Sequence, residues 1–118
     1  MNFGDLLKGV EAEGKEKHVP QIEVGKGRGR EGVEVVRVVV GKEVPHPNTA
    51  EHHIAWVELF GVKKEVEEQV VSLGRAVFGA GYTNPNARFQ VPVAEFKAFC
   101  ALAYCNVHGL WENCVELE

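Results

Sequence analysis

The sequence predicts an antiparallel β-sandwich of about seven short strands. Three observations point there. Six of the eight residues in "VEVVRVVV" (33–40) are valine, a density that favours extended backbone. Turn signals rich in Gly, Pro and Asn recur at roughly ten-residue spacing. No stretch carries the sustained 3.6-residue periodicity of a long helix. A chain of 118 residues reads as a single domain over 1–118, with no internal repeat and no linker.

The elements follow in order. Residues 1–15 form a polar N-terminal arm in which Leu6, Leu7 and Val10 make one apolar cluster, enough for a single helical turn. "HVPQIEV" (18–24) is extended, because Pro20 pushes Val19 toward β geometry. "GKGRGREG" (25–32) has four glycines in eight residues and is a turn or loop. The valine run at 33–40 and "HIAWVELF" (53–60) are strands. In "VEEQVVSLGRAVF" (66–78), the dense valines and the internal Gly74 favour a strand with a bulge over a helix. "GAGYTNPN" (79–86) is loop. Along "VPVAEFKAFCALAYC" (91–105), Phe96, Ala98, Cys100, Leu102 and Tyr104 share one face, which is expected to be the buried one. "GLWENCVELE" (109–118) supplies a final strand.

Composition removes several function classes. A formal charge of −4 gives no support to a nucleic-acid partner or an anionic membrane surface. No apolar run approaches the length needed to span a bilayer. The first residues lack the apolar core and small-residue cleavage site of a secretory signal, so the expected location is cytoplasmic. Three cysteines, Cys100, Cys105 and Cys114, argue against a disulfide framework and leave at least one thiol free. Cys100 is expected to be a small buried hydrophobe. Cys114 is expected to be a bystander.

Three of the five histidines fall within eight positions, in "VPHPNTAEHHIAW" (44–56). Neighbours on an extended chain point to opposite sides, so His52 and His53 cannot both reach one metal. One faces a site and the other faces packing or solvent. His46 can converge with His52, because Pro45, Pro47 and Asn48 bend the chain between them. Near the C-terminus, "YCNVHGLW" sets Cys105 and His108 three apart on a turn, a compact thiolate–imidazole pair. His18, beside Glu16 and Lys17, completes the set of soft donors. A nitrogen and sulfur set of this kind is foreign to calcium and magnesium. Structural zinc would close at four ligands. Blue copper usually carries an axial methionine, and the only methionine is Met1. Iron held by four imidazoles and one thiolate would use all five donors and leave a position open for chemistry.

"EKHVP", "GKEVPHPNTAEHHI" and "YCNVHGLWE", in that order, resemble the superoxide reductases of the neelaredoxin and desulfoferrodoxin family, over a span running from about Glu16 to the C-terminus. The resemblance implies an immunoglobulin-like β-barrel holding one iron ion per chain. It also implies reduction of superoxide to hydrogen peroxide without release of dioxygen. It assigns His18, His46, His52 and His108 as equatorial ligands, Cys105 as the axial thiolate, and His53 as the bystander. It makes Glu16 a sixth ligand in the ferric state and places Lys17 beside the open position. It further implies a rubredoxin-like electron donor and a homo-oligomer, tetramer or dimer. No cysteine precedes Cys100, so the four-cysteine module of the two-iron branch has no counterpart here. Lys17 has a physical role of its own, since a local cation draws a small anion toward a net-negative protein. Peptide N–H groups of Asn106 and Val107 could hydrogen-bond the Cys105 sulfur and moderate its donation. Two alternatives stand beside this reading: superoxide dismutation, and a non-catalytic iron-binding or electron-transfer module.

Overall fold

The computed structural model describes residues 1–25, 30–65, 67 and 69–117. Among the described residues there are seven strands: β1 (Gln21–Gly25), β2 (Glu34–Val39), β3 (Ile54–Lys63), β4 (Val70–Val77), β5 (Asn86–Val91), β6 (Phe96–Cys105) and β7 (Gly109–Glu116). They pair in antiparallel fashion into a three-stranded sheet, β1-β2-β5, and a four-stranded sheet, β4-β3-β6-β7. The chain changes sheet after β2, β4 and β5, the wiring of an immunoglobulin-like sandwich. Among the described residues, no helix is long and apolar enough to cross a membrane.

The core lies between the sheets. Val36 and Val38 on β2 face Val57 and Leu59 on β3 and Phe99, Ala101 and Ala103 on β6, all essentially inaccessible to solvent. Each large side chain buried there contributes about 1.5–3 kcal/mol. The β6 alternation was expected, but the buried face is the other one. Phe99, Ala101, Ala103 and Cys105 point inward, while Cys100, Leu102 and Tyr104 point outward and are only half-buried. The outward aromatics are covered by one another: Tyr104 stacks on Trp56 at 5.8 Å, and the Arg75 guanidinium sits 3.9 Å above the Trp56 ring. Phe96 reaches the core because the register shifts between Val62 and Lys63 of the partner strand.

The bulge in β4 is present. Leu59 opposes Gly74 and Phe60 opposes Ser72, so Leu73 is the extra residue. β5 was not expected. Its residues "NARFQV" lie between Pro85 and Pro92 and carry polar groups at half their positions, yet they pair in full with β2. Of the glycine-rich loop expected over 25–32, residues 30–32 form a turn closed by Val33 N–H donating to the Arg30 carbonyl (2.9 Å), and residues 26–29 lie outside the described residues.

The cysteines correct a further expectation. Cys100 and Cys114 stand directly opposite each other on β6 and β7 and form a disulfide. Cys105 is the free thiol, and it is fully buried. The N-terminal arm is also more ordered than a polar tail. It begins with a short helix, α1 (Phe3–Leu6), and then joins the β7 edge. There Lys8 N–H donates to the Leu110 carbonyl (3.3 Å), and Glu112 N–H donates to the Lys8 carbonyl (2.8 Å).

Gly61 packs against Phe96 with no room for a side chain, since a Cβ there would meet the Phe96 ring at 2.5–2.6 Å. Gly61→Ala is expected to destabilise the fold by about 1–3 kcal/mol through overpacking. The check is a lower midpoint in denaturant titration with an unchanged slope.

Candidate metal centre

Three segments far apart in sequence meet at one end of the sandwich. The run into β1 brings His18, the β2–β3 loop brings His46 and His52, and the end of β6 with its turn into β7 brings Cys105 and His108. Gly41 makes the second of these possible. Its φ is +76°, and a Cβ there would lie 2.6 Å from the His46 amide nitrogen, so only glycine lets the loop fold back tightly enough to aim His46 inward.

The four imidazoles close a square. Ring centroids are 4.7 Å apart for His18–His46, 4.8 Å for His46–His52, 5.2 Å for His52–His108 and 4.8 Å for His18–His108. Neighbouring rings are tilted 63–83° to each other, so every ring presents an edge to the centre. His18 Nε2 and His108 Nδ1 are 3.1 Å apart. Cys105 Sγ lies 3.6 Å from His46 Nε2 and 3.9 Å from His108 Nδ1. Glu16 Oε2 lies 3.4 Å from His52 Nε2 and 3.9 Å from both His18 Nε2 and His108 Nδ1. The donors therefore form two overlapping groups that could hold a metal ion: His18, His52, Cys105 and His108, and Glu16, His18, His46 and His52.

The surroundings fix these rings. His46 Nδ1–H donates to the Pro47 carbonyl at 2.7 Å, which selects the tautomer whose Nε2 lone pair faces the centre. His18 stacks flat on Trp111, with centroids 4.5 Å apart and a 12° tilt. His52 Nε2 is inaccessible to solvent and makes no hydrogen bond, a cost that a cation at the centre would relieve. Burial, and then the nearby His46 and His108, push the His18 pKa from 6.5 down to about 4. Burial also lowers that of His46, against the opposing pull of the Pro47 carbonyl. Both rings thus stay neutral, the form that binds a metal. Six converging donors of mixed nitrogen, sulfur and oxygen exceed a closed tetrahedral zinc site and fit a six-position transition metal.

The other candidates fall outside the square. His53 takes part only through hydrogen bonds: its amide donates to Asn106 Oδ1 (2.8 Å), and its Nδ1 lies 3.1 Å from the Thr49 carbonyl. The Asn106 N–H donates to the His53 carbonyl at 3.2 Å, so it is engaged away from the sulfur. The Lys17 ammonium donates to the Gly14 carbonyl (3.2 Å) and lies 4.0 Å from Glu13 Oε1. Two cations that sequence reasoning passed over flank the centre instead. Lys8 and Lys15 line an open cleft floored by Glu16, His18, His108 and Trp111. Lys8 Nζ donates to the His108 carbonyl at 3.1 Å and lies 5.4 Å from the Trp111 ring centre. Nothing in the sequence near Lys8 marks it, because its place depends on the arm adding to β7.

The desulfoferrodoxin family model matches residues 10–114. The chain is 46% identical over 118 residues to a superoxide reductase of Pyrococcus abyssi, with 97% of each chain covered. It is 49% identical over 107 residues to a superoxide reductase of Pyrococcus horikoshii, covering 87% of this chain and 89% of that one. The solved structure of a superoxide reductase (neelaredoxin) from Archaeoglobus fulgidus in the reduced form superposes with a TM-score of 0.82 at 40% identity, covering 96% of this chain and 98% of that chain.

The low His18 pKa has a consequence for metal-free protein. Above pH 6.5 the ring is neutral in both the folded and unfolded chain and contributes nothing to the pH dependence of stability. As pH falls from 6.5 toward about 4, the unfolded chain takes up the proton first, so the metal-free fold is expected to lose stability across that window. Denaturant midpoints of chelator-treated protein at several pH values test this, and a flat profile would contradict it.

Proposed function

The chain belongs to the desulfoferrodoxin family, and on that premise we infer that it catalyses one-electron reduction of superoxide to hydrogen peroxide at a single mononuclear iron. The observation that carries this reading is the square of four inward-facing imidazoles with a buried thiol and a carboxylate among its neighbours. His18, His46, His52 and His108 hold the iron, and Cys105 supplies a thiolate. Iron held there would supply one-electron redox chemistry, the electron for superoxide coming in turn from an outside donor. Two protons complete the reaction, and no dioxygen is formed.

The protein's own residues govern access and charge. Superoxide is an anion approaching a protein of net charge −4, so local cations decide the encounter. Lys8 and Lys15 line the cleft that opens on Glu16, His18 and His108, and Lys17 stands on the same loop as Glu16. Glu16 lies against three of the imidazole nitrogens and covers the centre when no substrate is present. Cys105, with no exposed surface, keeps its sulfur out of water, which protects its donation to the metal. The reading extends to a single functional domain over residues 1–118, a rubredoxin-like donor, assembly into a dimer or tetramer, and a cytoplasmic location.

A product count tests the activity. Reduced, iron-loaded protein pulsed with superoxide in the absence of oxygen is expected to yield one peroxide for each superoxide consumed and no dioxygen. Half that yield together with dioxygen would establish dismutation in its place. Lys17→Ala is expected to slow the second-order reaction several-fold and flatten its dependence on ionic strength. An unchanged rate would remove Lys17 from anion guidance and leave that role to Lys8 and Lys15.

A further inference from the structure

Glu13 has no place in the ligand set, yet its carboxylate is largely sequestered, with the side chain 17% exposed. It reaches forward along the chain and is used on both oxygens. Oε2 accepts from the His18 N–H at 2.8 Å and from the Val19 N–H at 2.7 Å. Oε1 lies 4.0 Å from Lys17 Nζ, which is itself tied back to the Gly14 carbonyl. His18 and Val19 are buried, so their amides depend on this one acceptor. Two short, charge-assisted bonds from a single oxygen are strong for their size. They close residues 13–19 into a ring whose outer arc is Gly14, Lys15, Glu16 and Lys17.

The ring explains how Glu16 comes to the centre. The Glu16 side chain is 44% exposed, yet Oε2 stands among three imidazole nitrogens. A short closed loop has far less conformational freedom than an open one, so closing it raises the local concentration of the Glu16 carboxylate at the metal. We propose that Glu13 is a positioning residue whose carboxylate closes this ring and so sets how strongly Glu16 competes with incoming anions at the centre. The proposal rests on the reading that a metal sits among the four imidazoles, and it concerns the oxidised form, in which Glu16 would be a ligand.

Azide is the probe, titrated optically into oxidised, iron-loaded protein. Glu13→Ala removes both acceptors, and azide is expected to bind about tenfold more tightly, since loss of about 1.4 kcal/mol of competition corresponds to that factor. Glu13→Gln keeps a carbonyl oxygen that can accept both amides, so its azide affinity is expected to stay within about twofold of the parent. Amide exchange at His18 and Val19 is expected to quicken in Glu13→Ala and to remain slow in Glu13→Gln. In a Glu16→Ala background, Glu13→Ala should no longer change azide affinity.

Several results would overturn the proposal. Unchanged azide affinity in Glu13→Ala despite faster exchange would do so. So would an equal gain in the Glu16→Ala background, which would mean that Glu13 acts through His18 itself. If Glu13→Gln matched Glu13→Ala, charge rather than ring closure would be the cause. Should Glu13→Ala fail to fold, Glu13→Asp, one methylene too short to reach both amides, carries the same test with a smaller expected gain. The azide measurements need no turnover, so they stand apart from the product count: protein that consumes no superoxide but shows the Glu16-dependent gain would refute the activity and keep the role of Glu13.

Discussion

The metal centre depends on the hydrogen bonds gathered around Asn106. Its side-chain oxygen accepts from the His53 amide (2.8 Å), its own amide donates to the His53 carbonyl (3.2 Å), and its side-chain nitrogen donates to the Glu51 carbonyl (3.0 Å). Together they fasten the loop after β2 to the turn after β6. Without that bracket, His52 and His108 would sit on two independent loops, and each would have to be ordered when the metal arrived. The bracket places that ordering in folding. It also gives His53 a purpose. Its side chain points away from the square, but its backbone is one half of the clasp that aligns His52.

The same bracket is tied to rigid structure on both sides. Thr49 and His52 exchange backbone hydrogen bonds within the β2–β3 loop, and Ile54 opposes Cys105 where β3 and β6 meet. Cys105 faces the core with Ala103, Ala101 and Phe99, so its sulfur is positioned by packed strands and not by a loop alone. Small alanines on this face let the two sheets approach closely beneath the site. The larger side chains of β6, Leu102 and Tyr104, are turned outward, where the space between the sheets does not constrain them.

Much of the site was legible in sequence because its chemistry is concentrated in short motifs. "PHPN" and "CNVH" state both donor types and the bends that let them converge, and the period-2 rule separates His52 from His53. The valine runs reveal β2 and β3, and Gly74 reveals the bulge. What sequence concealed depends on register and on tertiary contact. Alternation along β6 is identical for both faces, so it could not say which one the opposing sheet covers. Cys100 and Cys114 become partners because they are equidistant from the Cys105–Gly109 turn, which is a property of hairpin pairing and not of cysteine number. β5 has weak intrinsic preference and is strand because β2 offers it an edge. Lys8 reaches the centre through the arm's addition to β7.

These connections divide the site into a fixed part and a movable one. His46, His52, Cys105 and His108 belong to segments locked by Gly41, Asn106 and the β6–β7 pairing. His18 is buried against Trp111 and fixed at its amide by Glu13. Between Glu13 and His18, Lys15 and Glu16 are exposed, and the Lys17 ammonium donates to the Gly14 carbonyl. Glu16 can therefore leave the centre while all five soft donors stay in place. On the function proposed above, a carboxylate covering the centre at rest would have to yield to a small anion without disturbing the soft donors. That separation follows from the chain's architecture: the soft donors are anchored in strands and bracketed loops, and the Glu16 carboxylate is carried on a short arc hinged at Glu13 and His18.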